Sequence, residues 1–543
     1  MSIHRSPDGP AAPTVAAPSL PPTGPRGTIA YVSPQVAWAA AFVALVAFAI
    51  YLRTLMPSTG FWDTAEAQTV PATLSIFHPT GFPTYTMLGW LWSQLPIGES
   101  VAYRMNLLSA VSVASAAGIT TLITSHLVAE RSRWLVATAS AVAGLAFAFA
   151  SEPWENALRA DVHALHIGLA ALIIWLLVTW RAAEVAGSPH AGRWLAAAAL
   201  TFGLSLGNHP LTGLMAFAIG PWLFIVDPGI WRRWRLLAAC VVLLGLGLLS
   251  YLYIPVRALT PPEPPLFYAR PTTWEGFRYL VFAEQFHGLF DVSPFDFLAA
   301  KWDKAESVLA AQLMGPGWLV AAIGAATLVV RGMGALAFLA LLVIANVFYA
   351  MNFQDGDIDR YYLLTTLVAC VLVGVAAAAL AGAGAQSIAE ATRRTLDVGG
   401  RRRAASIAGG VVLALAAILP LSALVIRYDV RDQSANREAD LWVTSLHRAL
   451  PQDAVIISWW SYSTPLWYHR WVLGERPDIT IIDERNIIDD GWGTIDAAIR
   501  AHLNERPVYL VPPDWEVERL LAVFRTRPVQ TYGGYTDLVE VLP

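Results

Sequence analysis

Charge is scarce in this sequence. Only 14% of the 543 residues are Asp, Glu, Lys or Arg, against 56% hydrophobic, which excludes a soluble enzyme of several domains and leaves a membrane protein. Lysine is rarer still, at positions 301 and 304 alone, so basic character rests almost wholly on arginine. The net charge of -4 on so long a chain predicts neither nucleic-acid binding nor a trap for acidic substrates. Cysteine is limited to Cys240 and Cys370, both inside apolar runs, which excludes a disulfide framework and a thiolate metal site.

What the sequence has instead is long apolar runs. Residues 1–33 are rich in proline, poor in large apolar side chains and unable to bury a core, so a disordered tail is expected there. The run from Val36 to Leu55 is long enough to cross a bilayer and too long for a signal-peptide core. Further spans are predicted over 102–128, 134–151, 164–181, 194–208, 211–227, 236–256, 314–330, 335–352, 361–384 and 407–427, making about eleven transmembrane helices. The stretch Thr84 to Leu95 is short and interrupted, and reads as an interfacial or re-entrant helix.

Arginine placement sets an expected orientation. With the N-terminus in the cytoplasm, every inner connection is basic: Arg131 and Arg133, Arg181 and Arg193, Arg232 to Arg235, Arg331, and Arg393 to Arg403. The unusual polar clusters then all fall outside, which a shared extracytoplasmic site explains economically.

The first of these clusters organises the chain. In PSTGFWDTAEAQTVPATLSIFHPTGFP, Asp63 and Glu66 stand three apart in a short predicted helix, so both carboxylates share a face beside Trp62. A turn cluster, His78 to Pro83, follows, more elaborate than a plain connector needs. A solvated loop is the competing reading. In SEPWENALRADVHALHIG, Glu155, Arg159, Asp161, His163 and His166 crowd between two spans, with Glu155–Arg159 and Arg159–His163 at i,i+4 spacing; a neutralised ion-pair cap competes with a ligand site. Asn208 and His209 lie between apolar runs, where a satisfied buried histidine is as good a reading as a ligand. Arg257 ends a span, where arginine either snorkels or grips phosphate bidentately. Asp355-Gly356-Asp357, just before Arg360 and Tyr361, matches an Asp-x-Asp metal motif too short to be specific. The outer segment 257–311 interleaves Trp274, Phe277, Tyr279, Phe282, Phe286, Phe290, Phe295 and Phe297 with charges, as interfacial helices do.

From Tyr428 onward short apolar strands alternate with amphipathic helices, predicting an extracytoplasmic α/β domain over 428–543 after a membrane domain over 34–427. No Gly-x-Gly-x-x-Gly follows its first strand, so no nucleotide cofactor is expected. Ser461, Tyr462 and Ser463 at a strand-to-helix junction suit ligand binding or simple capping.

Phe61 to Glu66, His78 to Pro83 and Arg104 to Ala110, in that order after a first span, resemble the GT-C class of membrane glycosyltransferases, and most closely the family that includes an animal protein O-mannosyltransferase. Asp161 and His163 of DVHAL depart from the family's Glu-Val-Tyr; GLSLGNHP, YLYIPVR and DRYYL match more weakly. The resemblance implies an inverting enzyme that takes a sugar, mannose among the candidates, from a polyprenyl-phosphate donor to a protein or glycolipid hydroxyl at the outer face of the membrane; the arginine-for-lysine bias with abundant Ala, Gly and Pro points to a bacterial source, and so to a bacterial inner membrane. It places the general base in the first outer loop. Asp63 is assigned that role and Glu66 a supporting one, with Arg104, Arg257 and Arg360 as cations for the leaving phosphate. His78, Glu155, Asp161, His163, His209 and Tyr361 complete the donor- or substrate-binding candidates. No cofactor is required, and a divalent metal is left open. The alternatives from other classes are a transporter or lipid flippase, against which the absence of an internal repeat speaks, and a receptor without activity.

Overall fold

The computed structural model describes residues 32–292, 298–487, 491–511, 516–531 and 538–543. Nearly all of the expected tail, Phe295, Phe297 and the ends of the later predicted strands (Pro512, Pro513, Tyr532, Gly533) lie outside the described residues.

Four of the first seven helices begin where a short polar side chain caps them. Ser33 caps α1 (Pro34–Thr54), Ser100 caps α4 (Val101–Leu127), Ser132 caps α5 (Arg133–Ala148) and Asp161 caps α7 (Val162–Val185), each accepting from an otherwise orphaned backbone N–H. Between them lie α2 (Trp62–Thr73), α3 (Pro83–Ser93) and α6 (Ser151–Ala157). The helix expected over 84–95 is thus present as α3, 11 residues long and too short to cross a bilayer.

Among the described residues, seven helices are long and apolar enough to cross a membrane, and up to nine if each of two bent pairs counts as one span. The bent pairs are α5 with α6, at 66°, and Ala299–Leu313 with Pro316–Arg331, at 90°. Two of the eleven expected spans appear as shorter elements, Gly192–Leu206 and Pro210–Val226, so eleven crossings are not established by length and composition. The chain is an integral membrane protein. α4, α7 and Ile358–Ala391 form its centre, with 78%, 72% and 83% of their apolar windows buried, whereas Trp234–Leu259 and Val398–Arg431 turn most of theirs outward. Small residues let the central helices meet closely, since hydrocarbon offers no hydrophobic drive between helices. A Cβ at Gly144 would lie 2.6 Å from the Ala117 carbonyl on α4, and one at Gly324 would strike the Leu372 carbonyl at 2.0 Å.

Val398–Arg431 crosses the boundary expected at 427/428 and leads into a five-stranded sheet: β1 (Val455–Ser458), β2 (Thr480–Asp483), β3 (Val508–Val511), β4 (Thr526–Pro528) and β5 (Val539–Val541). The order is β2-β1-β3-β5-β4, with β1 parallel to β2 and β3, and β5 antiparallel to β3 and β4. β1 and β3 are buried throughout, which is why they read as unbroken apolar runs. The predicted α/β unit is therefore present.

This unit seats on the start of α2. Phe61 packs its ring 5.8 Å from Trp442 and 5.7 Å from Tyr462, Trp62 meets Trp459 edge-on at 4.9 Å, and the Tyr468 hydroxyl accepts the Ala102 N–H at 2.9 Å. The segment between α1 and α4 is thereby enclosed between the helical bundle and the sheet.

Candidate functional site: two acids at the seam

α2 opens on Trp62 at φ +57°, a backbone setting costly for a bulky residue and held here by the Trp459 contact. It places Asp63 at the seam, with about a third of its side chain (34%) exposed. Asp63 Oδ2 accepts from Arg360 Nη2 at 3.0 Å, and Oδ1 accepts from the Trp460 indole at 3.1 Å. Burial raises the Asp63 pKa, but the charges of Arg360 and His78, with the Arg360 hydrogen bond, outweigh it and hold the carboxyl at about 2.

Arg360 is the hub. Its second terminal nitrogen donates to Asp161 Oδ2 at 3.3 Å, so one guanidinium bridges two carboxylates from α2 and the α7 cap. Asp161 Oδ1 accepts from the His163 backbone N–H at 2.7 Å and lies 3.0 Å from His163 Nδ1. Burial pushes the Asp161 pKa up, yet His163 and Arg360 overcome it and hold the carboxyl well below the usual range. The His163 ring then lies 4.4 Å from His209 and 5.2 Å from Tyr361, leaving its buried Nε2 unpartnered. Three residues far apart in sequence, from the DTAE, DVHAL and DRYYL stretches, thus converge on one centre.

Glu66, one turn further along α2, has no solvent exposure. Both its oxygens face His78: Oε1 accepts the His78 backbone N–H at 2.9 Å, and Oε2 pairs with Nδ1. Burial raises the Glu66 pKa beyond what the His78 charge pulls back. Burial lowers His78, and the Glu66 charge more than restores it, so the pair grips its proton. The ligand atoms of Asp63, Glu66 and His78 lie within 4.8 Å of one another, close enough to hold a divalent cation if it displaced the proton between Glu66 and His78.

The His78 to Pro83 turn earns its residues. Gly81 sits at φ +83°, and a Cβ there would meet Ile254 at 2.8 Å. Thr84 donates to the Gly207 carbonyl at 2.9 Å, and Phe82 stacks on His209 at 5.7 Å, so this turn locks to the GLSLGNHP turn. His209 therefore lies between Phe82 and His163.

The other candidates are placed elsewhere. Arg104 donates to the Ile97 carbonyl at 3.4 Å and makes no hydrogen bond or ion pair to the carboxylate centre among the described residues. The working residue of its motif is Asn106: it accepts from Gln68 and Ala160 at 2.8 Å each and donates to the Met56 carbonyl at 2.8 Å, while Ser109 receives the Asp161 N–H. This network fixes the loop before α2 against the turn that carries Asp161. Arg257 donates to the carbonyls of Leu74, Thr260 and Pro262, at 2.8, 3.0 and 2.8 Å, and so closes the C-terminal end of α2. Glu155 pairs with Arg431 and, at 3.4 Å, with Arg159. The expected helical spacing from Arg159 to His163 is corrected: the chain leaves α6 after Ala157 and restarts only at Val162, because Asp161 is spent as a cap. Asp355 receives the Asp357 N–H and the Tyr361 hydroxyl, and the Asp355/Asp357 pair is not among the metal-competent clusters of the described residues.

The Trp460 indole is a site donor that the polar run Ser461 to Ser463 masks in the sequence; its signal is the Trp459-Trp460 pair directly after a strand. His166 completes the histidine group, its ring 5.5 Å from His209 and its Nδ1 3.2 Å from the Thr212 hydroxyl.

Comparison with known proteins fits this geometry. The family described as Protein O-mannosyl-transferase TMEM260 N-terminal domain matches residues 63–252. Protein O-mannosyl-transferase TMEM260 of Mus musculus is 26% identical over 459 residues, covering 80% of this chain and 61% of its own length. The chain thus spans less than two thirds of that relative. ArnT from Cupriavidus metallidurans bound to undecaprenyl phosphate superposes with a TM-score of 0.56 at 16% identity, covering 92% of this chain and 97% of that one. Its apo form gives 0.56 at 16%, covering 94% and 98%. The likeness read from the motifs is borne out, and the chain has the GT-C fold.

Proposed function

We propose that this chain is a membrane glycosyltransferase that moves a sugar from a polyprenyl-phosphate donor to an acceptor hydroxyl, with inversion at the anomeric carbon. The observation that carries the reading is the bridge Asp63–Arg360–Asp161, an ionised and partly exposed carboxylate sharing a buried guanidinium. The names of its relatives point to mannose as the sugar and a protein hydroxyl as the acceptor, with a glycolipid acceptor as the other choice. The arginine-rich loops favour a cytoplasmic N-terminus, placing this site and the sheet unit outside a bacterial inner membrane.

The chemistry is a single displacement. The acceptor oxygen attacks the anomeric carbon as Asp63 takes its proton; the bond from that carbon to the phosphate oxygen breaks, and the lipid phosphate leaves with one more negative charge. Arg360 is the cation for that charge, since its planar fork can bind two phosphate oxygens. A carboxylate held at about 2 is a weak base, and the same guanidinium supplies the remedy. An arriving phosphate competes for Arg360, loosens its grip on Asp63 and raises the basicity of Asp63 at the moment the donor is present. Glu66 and His78 fix the turn of α2 below.

A cavity of about 510 Å³ borders the Ile358–Tyr362 turn that carries Arg360; it is lined by Lys301, Lys304, Asp355 and Tyr362, and supports an anionic headgroup nearby. A divalent metal, if one assists, has Asp63, Glu66 and His78 to hold it, and chelator treatment of the transfer assay decides the matter.

The test is transfer by the purified full chain from a panel of radiolabelled polyprenyl-phosphate sugars to peptide and glycolipid acceptors. Labelled product that depends on Asp63 is expected. Intact donor throughout the panel, with lipid movement across vesicles instead, overturns the proposal in favour of a flippase.

A further inference from the structure

The sheet unit carries a second cluster of ligating side chains. Asp440 and His447 lie in the helix Glu438–Ala449, two turns apart and on one face. His469 lies in a single π-turn, Tyr468–Val472, that follows the helix Trp460–Trp467, and Glu475 comes just after it. Gly474 at φ +72° turns the chain back so that the Glu475 N–H donates to the His469 carbonyl at 2.9 Å. Such π-turns recur at functional sites.

The geometry fits a metal centre. His447 Nδ1 and His469 Nδ1 both aim at one oxygen, Glu475 Oε2, at 3.5 and 2.8 Å. Tetrahedral zinc with bonds of about 2.0 to 2.1 Å needs its N and O ligands roughly 3.3 Å apart. On its far side His469 Nε2 faces Asp440 Oδ1 at 3.3 Å, the outer carboxylate that commonly orients a metal-bound histidine. His469 is buried while Glu475 is half exposed, which leaves an open side for entry and for a fourth ligand from solvent. Arg476, next in sequence, is engaged with Asp478 and the carbonyls of His447, Leu450 and Pro451, so it scaffolds the helix end.

We propose that His447, His469 and Glu475 bind one zinc-type divalent cation, with Asp440 orienting His469. The ion ties the first helix of the sheet unit to the turn behind Trp460, the residue that donates to Asp63. This site is separate from the transfer centre, and the proposal stands whether or not the chain transfers sugar.

The test uses the full chain in detergent, stripped with chelator, reloaded with zinc chloride and assayed for bound metal by elemental analysis and for melting temperature. Wild type is expected to retain zinc and to melt higher with it. His447→Ala and Glu475→Gln each bind one equivalent less and lose the zinc-dependent rise in melting; Glu475→Gln lies at an exposed position and keeps the fold. Asp440→Asn weakens zinc binding about 10- to 100-fold. His78→Ala serves as the control for the other cluster and leaves this equivalent in place. Wild type without zinc, or Glu475→Gln with a full complement, overturns the proposal.

Discussion

Asp63 and Glu66 share a helix, a face and a functional group, and the protein treats them in opposite ways. Asp63 lies at the seam, partly open and ionised against Arg360; Glu66 is sealed and shares a proton with His78. The difference teaches that proximity in sequence does not assign a catalytic role. What separates them is one turn of helix, which puts the first acid against the guanidinium and the second into the body of the turn.

The largest change to this contrast is expected from Arg360→Gln. It leaves Asp161 buried without its cation, and breaking such a pair costs about 3 to 5 kcal/mol, so melting temperature and transfer should both fall sharply. Arg360→Lys keeps the charge and loses the fork; it should restore much of the stability but little of the transfer, since a point charge cannot serve two carboxylates and a phosphate. Full transfer by Arg360→Lys would reduce Arg360 to a counter-ion.

Glu66→Gln comes next. Removing a charge-assisted hydrogen bond in a sealed site costs about 1.5 to 3 kcal/mol, so the chief readout is melting temperature, with transfer falling less than about tenfold. Stability against pH divides the two acids further. The depressed Asp63 contributes stability that is complete above its unfolded value of 3.8 and lost only as pH falls through about 2, so it gives no slope between pH 5 and 9. Glu66 and His78 are both raised, so the folded state holds their proton more tightly and their contribution is lost as pH rises through the folded values. Melting temperature should therefore decline towards alkaline pH in wild type and decline less in Glu66→Gln. The smallest effect is expected from Trp460→Phe, which removes one N–H donor to the partly exposed Asp63 carboxylate, costs about 1.5 kcal/mol, the low end for a bond to a charged group, and leaves transfer within a few-fold of wild type.

Much of the architecture was legible because it is local. Apolar length and the alternation of short apolar strands with amphipathic helices act over a few residues, and they located most of the long helices and the presence of the sheet unit. The carboxylate–guanidinium centre was legible only in pieces. Asp63, Asp161 and Arg360 each stood out as costly charges at span ends, but nothing in the spacing of three positions so far apart says that one guanidinium joins two of the acids. Arg104 and Arg257 stood out for the same reason, and the structure spends Arg257 on carbonyls instead, because the end of α2 needs donors there. Asn106 lies inside the Arg104 to Ala110 motif but, carrying no charge, gives no sign of its own role in the sequence, although this buried amide, with every bond satisfied, holds the loop and the Asp161 turn together. Arg159 and His163 had helical spacing by count alone, which Asp161 breaks by capping a new helix.

The central claim, that Asp63 and not Glu66 meets the acceptor, is tested most directly by single-turnover transfer with Asp63→Asn and Glu66→Gln side by side, each first shown to be folded and to bind donor. Asp63→Asn is predicted to slow the step by a factor on the order of 10² or more, the usual worth of a positioned base, and Glu66→Gln to slow it by less than about tenfold. Near-normal transfer by Asp63→Asn, or the larger loss in Glu66→Gln, would contradict the account.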